Sequence, residues 1–321
     1  MDIQNELVWS HSRGRAFHDC KRAYWFNYYG YWKGWDAGAP AAVREIYLQK
    51  KLTSRAMWTG TVVHGIAEAG IKRAINALAS GNARTRSEGS DAVWTLDDMR
   101  QAAFLKADAD IRGSASGEWK RRPAKRTGFT EHYYDLPVSD DDWKAVLDEI
   151  DRQVVNLHAN RIYRRLLVTA SRIREVEELR KFAVGSGPER AEVYLAVDAM
   201  VGDGNGGVVI IDWKTGQNHE DAVIAAQLGV YGLYATQELG IPEDRITAMH
   251  VNLRHNTEAR HPVGPAEISA AREAILTGMA EMRASLKDVA ANTADKEEFP
   301  TLPEGSARCR WCNFRRSCGR E

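Results

Sequence analysis

The sequence carries no net charge: lysine and arginine together number 44, and so do aspartate and glutamate. A polycation that coats nucleic acid is thereby excluded, and any phosphate-binding surface must be a local patch. No apolar run approaches the ~20 residues of a bilayer-spanning helix, so no membrane partner is expected. The opening Met1-Asp2-Ile3-Gln4 lacks the basic and apolar parts of a secretory leader, and a cytoplasmic location is the default. Internal repeats and long low-complexity tracts are missing. So is a helicase phosphate loop of the GxxxxGK[S/T] kind, which leaves any unwinding to another protein. Cysteine is scarce, with four in 321 residues, which argues against a disulfide framework in a reducing compartment.

Hydrophobic residues make up 44% of the chain, enough for a sizeable core in one large domain or two small ones. Apolar periodicity predicts helices over 9–30, 58–79, 95–111, 139–165, 221–239 and 265–292. Ser10 or Ser12 is placed to cap the first, and Gly81-Asn82 to stop the second. The polar stretch 81–92 and the segment 113–137 read as loops. Three strands are expected over 175–184, 192–200 and 208–212, joined by glycine-containing turns, with a fourth over 246–253. Four segments follow: 1–57, helical and holding one cysteine; 58–173, helical with a histidine and a basic loop; 174–293, the core; and 294–321, a linker and cysteine tail. The order implies an α/β core with a helical insertion of roughly one hundred residues.

The most informative stretch is Asp198, a glycine-rich turn, then Asp212-Trp213-Lys214-Thr215-Gly216. If the two strands pair as a hairpin, both carboxylates converge at one end of it. Hard oxygen ligands there suit Mg²⁺ or Mn²⁺. Strand alternation puts Lys214 on the face of Asp212, where it can orient a water or neutralise charge on phosphorus. Gln227 and Tyr231 share one helical face. Upstream, Gly60 precedes His64 by four residues, and Glu68 lies one turn further on. Taken singly, a polar strand exit, a structural histidine and a surface Gln/Tyr pair would explain each of these.

Together these residues resemble the PD-(D/E)XK nuclease superfamily, in its RecB-type branch. That branch shows Gly-x-x-x-His on an early helix, an Asp in a hairpin strand, Asp/Glu-x-Lys on the next strand and Gln-x-x-x-Tyr on the following helix. The resemblance implies a restriction-endonuclease-like α/β core, with a mixed central sheet flanked by helices. It implies that His64, Asp198, Asp212 and the Trp213 carbonyl hold a Mg²⁺ or Mn²⁺ ion. Lys214 positions the attacking water, while Gln227 and Tyr231 support the site and touch DNA. Members often carry Gly two residues before the first Asp; this chain has Ala196.

Cys309, Cys312 and Cys318 form a compact tail, and Cys20 is the one remaining candidate to complete a tetrahedral set. Zinc or an iron–sulfur cluster would satisfy four thiols, although structural zinc sites more often come as two local pairs. The same spacing is similar to that of AddB-type helicase–nucleases and CRISPR-associated iron–sulfur nucleases, which implies a structural [4Fe–4S] cluster tethering the tail to the first helix. Candidate DNA contacts are the basic run 120–126, the tail residues Arg308, Arg310, Arg315, Arg316 and Arg320, and Trp25, Tyr28 and Trp32 as stacking platforms. The expected activity is cleavage of DNA ends or single strands, alone or beside a separate helicase, repair or defence protein. A catalytically idle DNA-end scaffold and an iron–sulfur redox sensor are the alternatives.

Overall fold

The computed structural model describes residues 4–80, 94–217 and 221–320. In chain order it forms α1 (His11–Asp19), α2 (Lys21–Trp25), a π-helical turn (Phe26–Gly30), α3 (Ala41–Lys50), β1 (Leu52–Thr53) and α4 (Arg55–Ala79). Next come α5 (Leu96–Ala115), β2 (Gly128–Phe129), α6 (Thr130–Tyr133), α7 (Asp140–Ala159) and α8 (Arg161–Val168). The second half carries β3 (Ile173–Glu175), β4 (Leu179–Val184), β5 (Ala191–Ala196), β6 (Ala199–Gly202), β7 (Val208–Lys214), α9 (Asp221–Leu239), β8 (Ile246–Asn252), β9 (Thr257–His261), α10 (Pro265–Ala284) and α11 (Ala307–Arg310).

The central sheet has the order β3-β6-β7-β8-β9. Its pairs are antiparallel except β7 with β8, which run parallel. A parallel pair needs a crossover, and α9 supplies it. Strand alternation splits β7 between two cores. Val208 and Ile210 join residues of α1, α9 and α10 on one face, while Ile211 and Trp213 join those of α4, α5, α7 and α8 on the other. A mixed sheet flanked by helices is the expected architecture. Among the described residues, no helix is long and apolar enough to cross a membrane.

Several expected elements are divided. The helix foreseen over 9–30 breaks at Cys20, whose backbone is extended (φ −163°, ψ 110°). Its Sγ accepts the Ala23 N–H and so caps α2. Of the two serines, Ser10 caps α1. The helix foreseen over 139–165 breaks at Asn160, whose side chain accepts the N–H groups of Ile162 and Tyr163. That over 265–292 stops at Ala284. The segment 113–137 is no plain loop, since it contains β2 and α6 and buries Trp119. Helix α3 and the polar edge strand β9 were not foreseen. The stop signal Gly81-Asn82 and the whole of the expected loop 81–92 lie outside the described residues.

The most consequential division concerns the strands expected over 175–184 and 192–200. Both break at one level, giving β3/β4 and β5/β6. The outer halves pair with each other as a separate two-stranded ladder. At the break Glu177 adopts φ +48°, a left-handed conformation costing about 1–2 kcal/mol for a residue with a Cβ. Its N–H donates to the Val197 carbonyl at 2.8 Å.

Helix α4 crosses α8 at Gly70, where an added Cβ would lie 1.9 Å from the Tyr163 hydroxyl. That hydroxyl is buried and makes no hydrogen bond. Gly70→Ala should therefore destabilise by about 2 kcal/mol through overpacking, despite alanine's better helix propensity. Adding Tyr163→Phe should restore part of the loss, because it removes an atom that burial already penalises. Urea denaturation of the three variants measures this, and an unchanged midpoint for Gly70→Ala would contradict it.

Candidate active site

The strand break, the end of β7, α4 and α9 meet at one place. Ala199 pairs with Ile211, so Asp198, one residue before β6, falls opposite Asp212. The backbone N–H of Trp213 donates to Asp198 Oδ2 at 2.7 Å. Trp213 enters the site through its backbone, because its indole lies on the other face of the sheet, edge-on to Tyr163.

Helix α4 brings His64 to the same point. Its Nδ1 lies 3.2 Å from Glu177 Oε1 and 3.7 Å from Asp198 Oδ2. Among the described residues, His64, Glu177 and Asp198 form a group whose donor atoms all lie within 4.8 Å of one another. One turn earlier, a Cβ on Gly60 would come 2.8 Å from Thr215 Oγ1. Glycine there lets α4 approach the exit of β7 closely enough to deliver His64.

Asp212 is 1% exposed. Its Oδ1 accepts from Lys214 Nζ at 2.8 Å, whereas Oδ2 accepts no hydrogen bond and lies 4.0 Å from His250 Nδ1. From Lys214 a chain of hydrogen bonds runs into α9. Nζ donates to Gln227 Oε1 at 3.0 Å, Gln227 Nε2 donates to the Tyr231 hydroxyl at 2.7 Å, and that hydroxyl donates to the Ala196 carbonyl at 2.9 Å. The i,i+4 pair on α9 thus links the lysine to the residue just before the strand break. A Cβ at position 196 is accommodated.

Electrostatics follows from crowding carboxylates out of water. Burial raises the Asp198 pKa, opposed by His64 and reinforced by Asp212 and Glu177. For His64, burial favours the neutral form, but Asp198 and Glu177 outweigh it and lift the imidazole to about 9. Burial, then Asp198 and Asp212, push the Tyr231 phenol well above its ordinary value. Tyr231 therefore stays a donor to Ala196 at any working pH.

Two residues at this site escaped the sequence reading. Glu177 sits in the acidic run Glu175-Val176-Glu177-Glu178, where nothing in the pattern singles it out. By contrast Glu175 is spent on Tyr234 and Arg180. His11 opens α1, with its Nε2 buried and without a hydrogen bond. Burial, Arg15 and Lys214 lower its pKa to about 4 against the opposing pull of Asp212.

A second constellation lies at the chain's ends. Cys20, Cys309, Cys312 and Cys318 line one small cavity of about 20 Å³, closed by Phe26 and Phe314. The Phe314 N–H donates to Cys312 Sγ at 3.4 Å. Burial, with some help from the other three thiols, pushes the Cys312 thiol up to about 11. The tail arginines serve this end of the fold. Arg308 pairs with Asp19 at 2.9 Å, Arg315 lies buried over the Tyr134 ring, and Arg320 donates to the Leu302 carbonyl. Trp25 bonds the Ala294 carbonyl and Tyr28 lies beneath Arg13, so both rings are engaged internally. Trp32 packs edge-on against Trp35. The basic run 120–126 is largely exposed.

Carboxylates, a histidine and a lysine gathered at the ends of neighbouring strands in a helix-flanked mixed sheet place the chain in the α/β class. The sequence signature of the PD-(D/E)XK nuclease superfamily matches residues 8–319, and the chain belongs to that superfamily. The solved "Crystal structure of SSO0001" is similar over 59% of this chain and 77% of that one, at 16% identity and a TM-score of 0.30. No curated protein matches.

Proposed function

We propose that this protein is a Mg²⁺- or Mn²⁺-dependent deoxyribonuclease of the RecB-type branch, acting on DNA ends or single strands. The observation that carries the reading is the junction of the His64–Glu177–Asp198 group with the Asp212–Lys214–Gln227–Tyr231 chain. The donor set fits a divalent ion: hard carboxylate oxygens, one imidazole, and a buried Asp212 oxygen left without a hydrogen bond. His64, Asp198, Asp212 and the Trp213 carbonyl would hold the ion, with Glu177 as a further carboxylate. Such an ion supplies Lewis-acid polarisation of the phosphoryl oxygen and a bound water of lowered pKa.

The chain's own groups do the rest. Asp212 and Gln227 occupy two directions around the Lys214 ammonium, and a third N–H is left to orient water or meet charge developing on phosphorus. Tyr231 holds Ala196, and through it the break that presents Asp198. Tyr231→Phe should lower cleavage by about tenfold, one hydrogen bond's worth of positioning, with metal affinity nearly kept. Equal rates for both proteins would remove Tyr231 from this role. The four cysteines support a [4Fe–4S] cluster with a structural task, since four thiols around one cavity leave no open coordination position.

The test is incubation of anaerobically purified protein with end-labelled single- and double-stranded DNA, linear and circular, plus Mg²⁺ or Mn²⁺. Linear DNA should be degraded, circles spared, and chelator should stop the reaction. Lys214→Met should cut the rate by about 100-fold or more. Absence of metal-dependent cleavage on every substrate would leave a DNA-end scaffold instead.

A further inference from the structure

A groove of about 540 Å³ opens between α8 and the sheet, on the face opposite Asp212 and Lys214. Its floor is aliphatic: Leu166 from α8, with Val201, Val209 and Met249 from three adjacent strands. Its rim is cationic, with Arg161, Arg165 and Arg172. The nuclease chemistry uses none of these residues.

The charges around the rim are unequally committed. Arg161 pairs with Glu258 at 2.8 Å. Asp203, the acidic residue in the lining, is turned into its own loop, accepting the N–H groups of Asn205 at 2.6 Å and Gly207 at 3.0 Å. Arg165 and Arg172 make no ion pair with any of the described residues and are exposed. Two uncommitted guanidinium groups therefore flank a floor of aliphatic side chains, and the Thr169 hydroxyl in the lining is spent on the Arg165 carbonyl at 2.8 Å. Such a floor suits large aliphatic or aromatic side chains, and the rim suits carboxylates. Phosphates and base edges would find hydrogen-bond donors at the rim and none below it, which disfavours nucleic acid as the occupant.

We infer that this groove docks an acidic segment of a partner protein, with large apolar side chains seated on the floor and neighbouring carboxylates on Arg165 and Arg172. Because β7 points Val209 and Ile211 to this face and Asp212 and Lys214 to the other, a docked segment leaves the candidate active site open. The surface would recruit the nuclease without inhibiting it. The inference does not depend on the cleavage reading.

The probe is a fluorescein-labelled synthetic peptide of three aspartates followed by leucine and phenylalanine, titrated with the full chain and read by anisotropy. Saturable binding is expected. It should weaken by about tenfold or more in the Arg165→Glu/Arg172→Glu double variant, and equally when serine replaces both apolar residues of the peptide. Hydrogen exchange should slow on α8, β6 and β7 when the peptide is bound. The double variant's melting temperature should match that of the native protein, because both side chains are exposed. No binding to the native chain, or binding indifferent to the charge reversal, overturns the inference. So does a double variant that loses affinity for a single-stranded oligonucleotide while keeping the peptide, which would make the groove a nucleic-acid surface.

Discussion

Asp212→Asn should abolish metal-dependent DNA cleavage and yet leave the metal-free protein at least as resistant to heat. The catalytic loss is expected to be about 10³-fold or more, several kcal/mol of transition-state stabilisation, because in the proposed mechanism Asp212 is a charged metal ligand next to the reacting phosphate. The thermal expectation comes from counting charges. Without a bound cation, the carboxylates of Asp198, Asp212 and Glu177 are crowded together out of water. Neutralising Asp212 removes one of these like charges, and the asparagine carbonyl still accepts from Lys214 where Oδ1 does now. It also replaces a buried, unbonded carboxylate oxygen with a group cheaper to bury. Mn²⁺ should raise the native protein's melting temperature, since binding at about 100 times Kd adds roughly 2.7 kcal/mol, and should leave the variant's unchanged. Calorimetry with and without Mn²⁺, beside a cleavage assay, separates the two effects. A variant that still gains stability from Mn²⁺, or that cleaves at near-native rate, places the ion elsewhere.

Which parts of this site were legible in the sequence follows from how each residue is positioned. Asp212 and Lys214 are fixed by alternation along one strand, and Gln227 and Tyr231 by one helical turn, so spacing alone groups them. Asp198 is reached through a hairpin whose glycine-rich turn is itself in the sequence. Glu177 is different. It enters because β3 and β4 separate at a left-handed residue, and the run 175–184 reads as one continuous strand since no glycine or proline marks the break. The bend comes from tertiary pairing: the outer halves find each other and leave the central sheet. The same holds for His11, which is local to α1 and is carried toward Lys214 only by the packing of α1 near α9. Cys20 stood out as a ligand candidate, but not as the residue that ends one helix and caps the next, because periodicity runs smoothly through it. Strand β9, Thr257–His261, carries too little apolar signal to be seen. It pairs as an edge strand through its backbone.

Cys20→Ala should bleach the protein and lower its melting temperature by roughly 10 °C, a loss on the order of 5 kcal/mol. The magnitude reflects what the proposed cluster would join. Cys20 lies between α1 and α2, and Cys309 is roughly 290 residues away along the chain, so a bond between them is among the longest closures this chain can make. Other contacts hold the tail as well: Phe314 stacks on Phe26, Arg22 donates to the Phe299 carbonyl at 2.7 Å, and Tyr134 donates to the Asn313 carbonyl at 2.5 Å. The ring pair is buried and the two hydrogen bonds are partly buried, but each is a single noncovalent contact. Without the cluster they should keep the tail nearby but no longer fixed, so limited proteolysis should cut between 300 and 320 before the sheet yields anywhere. Cleavage should fall less than stability does, and fall through α1, whose first residue His11 shares the electrostatic field of Asp212 and Lys214. Visible absorption, melting and protease mapping together decide. If Cys20→Ala keeps its colour and melts within about 1 °C of the native protein, Cys20 is no ligand, and the two ends of the chain are joined by packing alone.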